Sequence, residues 1–314
     1  MPKVLVTCHH LLRHIDRYKP RFEAAGIDLV LPEVVGQQFS AQEMLDLIRG
    51  VDTCILGDDF IDRAVLETGK EEGLKAIVKW GIGTDSIDKE SARELGIPVR
   101  NTPGTFGEEV ADAAFSLILL LARGYHKMHA SVAGGGWLKI QGRSLAGKTL
   151  GVVGLGSIGR AVGRRGTAFG MSVVGSDRVD MPLEVLRPNG IAQKSFEEVL
   201  VISDYLVLAC TLTAENRHLI DAKTLAKMKP GANLVNVARG PLVKESDLAE
   251  ALKNGHIGAA GLDVFEVEPL PGNSPLRGLD NVVFGTHNGS NTREGVERVN
   301  EITVAMALEI VAQA

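Results

Sequence analysis

"TLGVVGLGSIGRAVGRRGTAFGMSVVGSD", residues 149–177, is the stretch whose reading decides the fold. An apolar run of strand type breaks at Gly154-Leu155-Gly156-Ser157-Ile158-Gly159, and a helix-like segment follows. A second apolar run then ends in Asp177. A lone G-x-G-x-x-G says little. Here a strand precedes it, a helix follows it, and an acid stands about 20 residues past the first glycine, the βαβ context of a dinucleotide site. Gly154 permits the tight turn, Gly156 lets the backbone approach a pyrophosphate, and Gly159 lets the helix pack closely on the strand. N–H groups at Ser157 and Ile158 open the helix and attract phosphate charge. Asp177 can accept hydrogen bonds from both ribose hydroxyls of NAD and would repel the 2′-phosphate of NADP; neighbouring Arg178 softens that repulsion. The expected cofactor is NAD.

Working outward, the same alternation recurs. "YLVLAC", "ANLVNVA", "IGAAGLDVF" and "NVVFGT" read as further strands, separated by helical "SFEEVLVIS", "AKTLAKM" and "ESDLAEALKNG". Upstream, "KVLVT", "IDLVL", "TCILG" and "LKAIVKW" read as strands, with helical "SAQEMLDLIRG" and "DRAVLETG" between them. Strands alternating with helices imply parallel sheets covered on both faces. The Gly/Pro-rich "IPVRNTPGTFG" (97–107) reads as a hinge or boundary. The last segment, 291–314, reads as one long helix with Asn291 as its N-cap, Glu294 three residues on, and Val296, Val299, Thr303, Met306 and Ile310 on one face.

A chain of 314 residues suits about two domains. With 45% hydrophobic and 23% charged residues it reads as globular, and a net charge of −5 with 4% aromatics argues against nucleic acid as a partner. Cys8, Cys54 and Cys210 are odd in number and far apart, which points to free thiols in a reducing, cytoplasmic setting. No Cys/His cluster has metal-ligand spacing. The first residues enter a strand directly, without a leader pattern, and the longest apolar segment, 114–122, is too short to span a bilayer.

In open parallel sheets ligands bind beyond the carboxyl ends of the strands. Polar residues just past those ends are Arg239 after "NLVNVA", Glu268 after "GLDVFEV" and His287 after "NVVFGT". A histidine can exchange a hydroxyl proton near neutral pH, a carboxylate beside it favours and orients the imidazolium, and an arginine can grip a substrate carboxylate. At the first domain's strand ends stand Arg13 and His14, which would welcome an anionic substrate tail, and Asp58-Asp59, which would repel one if they face it.

With these motifs in place, the chain resembles the D-isomer-specific 2-hydroxyacid dehydrogenase family, and within it phosphoglycerate dehydrogenase-like and hydroxypyruvate reductase-like members. The resemblance covers nearly the whole chain through "KWGIGTDSID" (79–88), "LVNVARGPLV" (234–243), "AAGLDVFEVEP" (259–269) and "THNGS" (286–290). It implies Arg239, Glu268 and His287 as the catalytic set, with Arg239 also binding the substrate. Backbone amides at Ile82 and Gly83 would hold the substrate carboxylate. Asp263 would contact the nicotinamide amide, and Thr211, Val237 and Ala238 would line the cofactor site. The family's usual prolines are replaced by Thr211 and Thr286, which removes no catalytic group.

The resemblance also implies an α/β architecture of two doubly wound parallel-sheet domains. A Rossmann NAD domain (101–288) would be inserted into a flavodoxin-like substrate domain (1–100 and 289–314), with the active site in the cleft between them. No further C-terminal regulatory domain is expected. The very apolar helix within 108–123 is expected to support a C2 homodimer. The implied activity is hydride transfer between NAD and a small 2-hydroxy or 2-oxo acid, away from any membrane. Formate dehydrogenase-like chemistry is disfavoured, because that relative has an amide where Glu268 stands. An NAD-sensing corepressor of the same fold is the alternative outside enzymes.

Overall fold

The structure, a computed structural model, describes residues 1–34 and 36–313. The chain forms two compact units, one of residues Met1–Thr105 together with the segment from Thr292, the other Phe106–Asn291.

The first unit holds strands β1 (Lys3–Val6), β2 (Asp28–Val30), β3 (Thr53–Leu56), β4 (Ala76–Lys79) and β5 (Val99–Arg100). They pair in parallel in the order β2-β1-β3-β4-β5, the flavodoxin-like order with its switch point between β1 and β3. Every residue of β3 and β4 is buried, as strands covered on both faces must be. Leu5, Cys54, Leu56, Ile77, Met44, Ile48 and Leu66 form one core. The two-residue β5 lies in the segment read above as a boundary, too short to show a period.

The last helix, Arg293–Ala312, packs on β3 and β4 and buries Val296, Val299, Thr303 and Ile310. Its cap is not Asn291. Thr292 has the extended backbone of an N-cap and accepts the Gly295 N–H, whereas Asn291 closes the preceding turn by bonding Asn288. The capping residue is chosen by backbone conformation as well as by residue type.

The second unit holds β6 (Thr149–Val153), β7 (Ser172–Ser176), β8 (Ile191–Gln193), β9 (Tyr205–Leu208), β10 (Ala232–Asn236), β11 (Ile257–Leu262) and β12 (Val282–Phe284). All pair in parallel, in the order β8-β7-β6-β9-β10-β11-β12. This is the dinucleotide-binding order, with its switch point between β6 and β9. The helix Gly107–Arg123 buries Val110, Ala111, Ala114, Phe115, Leu117, Ile118 and Ala122 against the helix Ser157–Ala168 and strands β10 to β12. A Cβ on Gly261 of β11 would stand 2.9 Å from the Leu117 Cβ, so a glycine there lets the helix lie close on the sheet. Packing inside the unit therefore uses the apolar face of this helix. No described helix is long and apolar enough to cross a membrane.

Candidate active site

At the switch point of the seven-stranded sheet, β6 leads through the glycine turn into the helix Ser157–Ala168. Gly154 has φ +95°, and a Cβ there would meet the Cys210 backbone at 2.6 Å. A Cβ on Gly159 would stand 1.8 Å from the Gly154 carbonyl oxygen. Around Gly156, by contrast, a Cβ would meet nothing within 4 Å. The turn thus has two glycines demanded by the protein's own backbone and a third beside open space, at a helix start that no side chain caps. That is the cradle a pyrophosphate needs. The Leu155 N–H donates to Asp177 Oδ2 at 2.7 Å, which ties the acid to the turn. Thr211 lies just past β9, next to β6 in the sheet, while Val237 and Ala238 lie just past β10 and are buried. Burial pushes the Cys210 thiol beside the turn up to about 11, so it stays protonated at neutral pH.

Strands β10, β11 and β12 are adjacent, so the residues past their carboxyl ends share one edge of the sheet. Buried Asn236 ends β10; its Oδ1 accepts the Ala238 N–H at 3.1 Å and its Nδ2 donates to the Arg239 carbonyl at 2.9 Å. That fold-back shapes the turn presenting Arg239, whose Nη1 donates to the Ala238 carbonyl at 2.7 Å. A Cβ on Gly240 would stand 1.8 Å from the Phe265 carbonyl, so only glycine lets this turn pass against the loop following β11.

On that loop Glu268 Oε1 accepts the Phe265 N–H at 2.9 Å, and Oε2 lies 2.7 Å from His287 Nδ1. Both side chains are mostly buried, with 18% and 27% of their surface exposed. The backbone of His287 is left-handed, with φ 54°. Asp263 holds it there: its carbonyl accepts the His287 N–H at 2.6 Å, and its carboxylate accepts from Asn288 at 3.1 Å and Gly289 at 2.9 Å. A Cβ on Gly285 would overlap Asp263 Oδ1 at 2.2 Å, so the glycine after β12 makes room for that carboxylate. A carboxylate on Nδ1 fixes the ring and favours its protonated form, and the opposite nitrogen, Nε2, is the one suited to exchange a proton with a ligand.

Ile82 and Gly83 belong to the other unit, in the loop after β4, where the Ile82 carbonyl accepts from Asn101 Nδ2 at 2.7 Å. In the same unit Asp59 is turned inward and 1% exposed, accepting from Thr7 Oγ1, from the Phe39 N–H at 2.9 Å and from the Gly57 N–H at 3.0 Å. It is an internal anchor and cannot repel a ligand by direct contact. Asp58 is half-exposed and pairs at 3.0 Å with Lys79, whose buried amine also donates to the Trp80 carbonyl at 2.8 Å. Asp62, not either of these acids, caps the next helix.

Sequence reading missed several residues around the sheet edge. Asn236 is signalled only by an amide at the end of an apolar strand. His218, Glu245 and Glu266 form a second cluster. His218 Nε2 lies 2.6 Å from Glu266 Oε1, and Glu245 is raised above the ordinary carboxyl range by burial and by the charges of Glu266 and Glu268. Nothing in the spacing of 218 and 266 announces a contact. Among the described residues no group of His, Cys, Asp or Glu could hold a metal ion.

Residues 115–289 match the model of the D-isomer specific 2-hydroxyacid dehydrogenase NAD-binding domain. The chain is 40% identical to a glyoxylate reductase of Thermococcus litoralis, over 82% of this chain and 80% of that one. It is 38% identical to a hydroxypyruvate reductase of Thermotoga maritima, over 85% and 87%. Among solved structures, a D-lactate dehydrogenase of Aquifex aeolicus complexed with NAD and lactic acid superposes with a TM-score of 0.86, at 26% identity, over 99% and 96% of the two chains. The chain belongs to the D-isomer-specific 2-hydroxyacid dehydrogenase family, and its seven-stranded unit is that family's NAD-binding domain.

Proposed function

We propose that this enzyme reduces a small, unphosphorylated 2-oxo acid, such as glyoxylate or hydroxypyruvate, to the corresponding 2-hydroxy acid, the D isomer where C2 becomes a stereocentre. The observation that carries the reading is the 2.7 Å contact between His287 Nδ1 and Glu268 Oε2, on the sheet edge that also presents Arg239. When bound, NADH supplies the hydride that reduces the carbonyl carbon. His287 gives the proton from Nε2 to the carbonyl oxygen, and in the reverse direction takes it back. Glu268 stabilises the ring's positive charge before that transfer and fixes its plane. Arg239 offers a planar fork to the substrate carboxylate and draws charge from the adjacent carbonyl. Asp177, tied to the glycine turn, favours NAD over NADP.

One observation supports an unphosphorylated tail: the relatives named above act, by their names, on glyoxylate and hydroxypyruvate. The test is NADH oxidation with a panel of 2-oxo acids, comparing kcat/KM for hydroxypyruvate and its 3-phosphate. Hydroxypyruvate is expected to be used at least as well. A strong preference for the phosphate would overturn the substrate assignment. No turnover with any 2-oxo acid would overturn the enzymatic reading in favour of nucleotide sensing.

A homodimer is part of the same proposal. The helix Tyr125–Ala133 buries none of its residues, and Tyr125, Val132, Trp137 and Leu138 are 59%, 52%, 78% and 47% exposed. An apolar arm of this size calls for a partner surface, and a second copy is the one the family reading implies. The free thiols Cys8, Cys54 and Cys210 accord with action in a reducing compartment.

A further inference from the structure

Among the described residues, the two non-glycine residues with positive φ are both histidines, His218 at 55° and His287 at 54°. L side chains adopt that backbone reluctantly, and where it persists the surroundings enforce it. Each histidine bonds a glutamate of the loop following β11, and the two glutamates stand at alternate positions. His287 Nδ1 lies 2.7 Å from Glu268 Oε2; His218 Nε2 lies 2.6 Å from Glu266 Oε1. The proposed reaction uses the first pair and leaves the second without a task.

The second pair closes a ring of contacts around the turn that presents Arg239. The His218 N–H donates to the Pro241 carbonyl at 2.8 Å, and the Ile220 N–H to the Leu242 carbonyl at 2.9 Å. On the other side Gly240 is pressed against the Phe265 backbone. Glu266 Oε2 accepts the Glu245 N–H at 3.1 Å, and Glu245 Oε1 accepts the Glu266 N–H at 2.6 Å. The segment from Arg239 to Glu245 is thus held between residues 218–220 and residues 265–266, and the His218–Glu266 bond joins its two holders. A residue present only to fill space would be apolar and relaxed. His218 is polar, 34% exposed at its side chain, and strained.

We infer that His218, acting through Glu266, is a positioning residue for the reaction. It locks the Arg239 turn against the loop carrying Glu268, so that the guanidinium and the His287–Glu268 pair face one substrate in register. This rests on the roles proposed above for those three residues.

The test is a pair of full-length variants, His218→Gly and His218→Gln, assayed with NADH and the 2-oxo acid the wild type reduces best. Glycine relieves the backbone and removes the bond; glutamine keeps an N–H able to reach Glu266. For His218→Gly, kcat/KM is expected to fall roughly tenfold to a hundredfold, the scale of a small misplacement of reacting groups, through both a higher KM and a lower kcat. Its Tm should stay level or rise, and NADH affinity should stay within about twofold. His218→Gln should recover most of the loss. The inference is overturned if His218→Gly keeps kcat/KM within twofold, if its activity falls only in step with its folded fraction, or if glutamine does no better than glycine. A wild type that reduces no 2-oxo acid would overturn the reading of the reaction itself, and this inference with it.

Discussion

The two sheets of this chain reach their switch points in opposite ways. In the seven-stranded sheet, β6 runs into a turn of glycines and a twelve-residue helix, with open space around Gly156. In the five-stranded sheet, β1 runs into Thr7-Cys8-His9-His10 and a helix of four residues, His9–Leu12. There side chains fill the strand end and bond one another. Thr7 donates to Asp59, both are 1% exposed, and His10 stacks on Trp80 with ring centroids 4.5 Å apart. Burial pushes the Cys8 thiol up to about 12. A doubly wound sheet thus determines where a ligand can sit, while the residues past each strand decide whether backbone donors or side chains meet it.

The contrast can be broken most severely at the edge that presents Arg239, Glu268 and His287. His287→Asn removes the ring while tolerating the left-handed backbone. Turnover of the 2-oxo acid should fall roughly 10²- to 10⁴-fold, the range for a positioned proton-transfer group, with NADH affinity nearly unchanged by fluorescence titration. Near-wild-type turnover would remove His287 from the chemistry.

Breaking the glycine side should leave the opposite signature. Gly159→Ala places a methyl group 1.8 Å from the Gly154 carbonyl oxygen in the present backbone, so the turn must move. Overpacking of this kind costs about 1–3 kcal/mol of stability. NADH affinity should drop on the order of a hundredfold as the donors at the helix start lose their aim, since tenfold in affinity corresponds to about 1.4 kcal/mol. Equal NADH binding by calorimetry would show that the turn is not the phosphate site.

A milder change sharpens the same region. Asp177→Ala should weaken NADH use and improve NADPH use, moving the ratio of kcat/KM values by about tenfold, as expected when a charge repulsion of about 1.4 kcal/mol is relieved. A wild type that already prefers NADPH would mean that Arg178 outweighs Asp177.

An effect on stability alone belongs to the five-stranded sheet. Burial, with Arg13 adding to it, pushes His10 down from its ordinary 6.5 to about 4. Between those values the unfolded chain binds the proton and the folded chain does not, so stability falls as pH drops from 6.5 towards 4. His10 is partly exposed, so we expect about 1–2 kcal/mol across that window once solvent screening is allowed for. His10→Phe keeps an aromatic ring for the stack and removes the titration. Urea unfolding at stepped pH should give the variant a flatter profile, and identical slopes would place the proton elsewhere.

The strands other than the short β5 and β8, the glycine turn and the residues past β10, β11 and β12 were legible in the amino-acid order because their causes are local. Apolar runs set the strand period, and residues just past a parallel strand fall at one edge by topology alone. Gly159 could be named for the same reason, since a Cβ there meets the Gly154 carbonyl oxygen of its own turn, whereas at Gly154 a positive φ is joined by the Cys210 backbone, a neighbour that only the folded sheet supplies. Other features needed the folded chain. Thr292 rather than Asn291 caps the last helix because Asn291 is taken by Asn288. Asp59 turns inward because donors from Thr7, Phe39 and Gly57 converge on it. The bonds from His287 to Glu268 and from His218 to Glu266 join residues 19 and 48 positions apart. Composition near either end of such a bond does not encode its partner. Packing of β10, β11 and β12 side by side, with Gly240 against Phe265, brings the ends together.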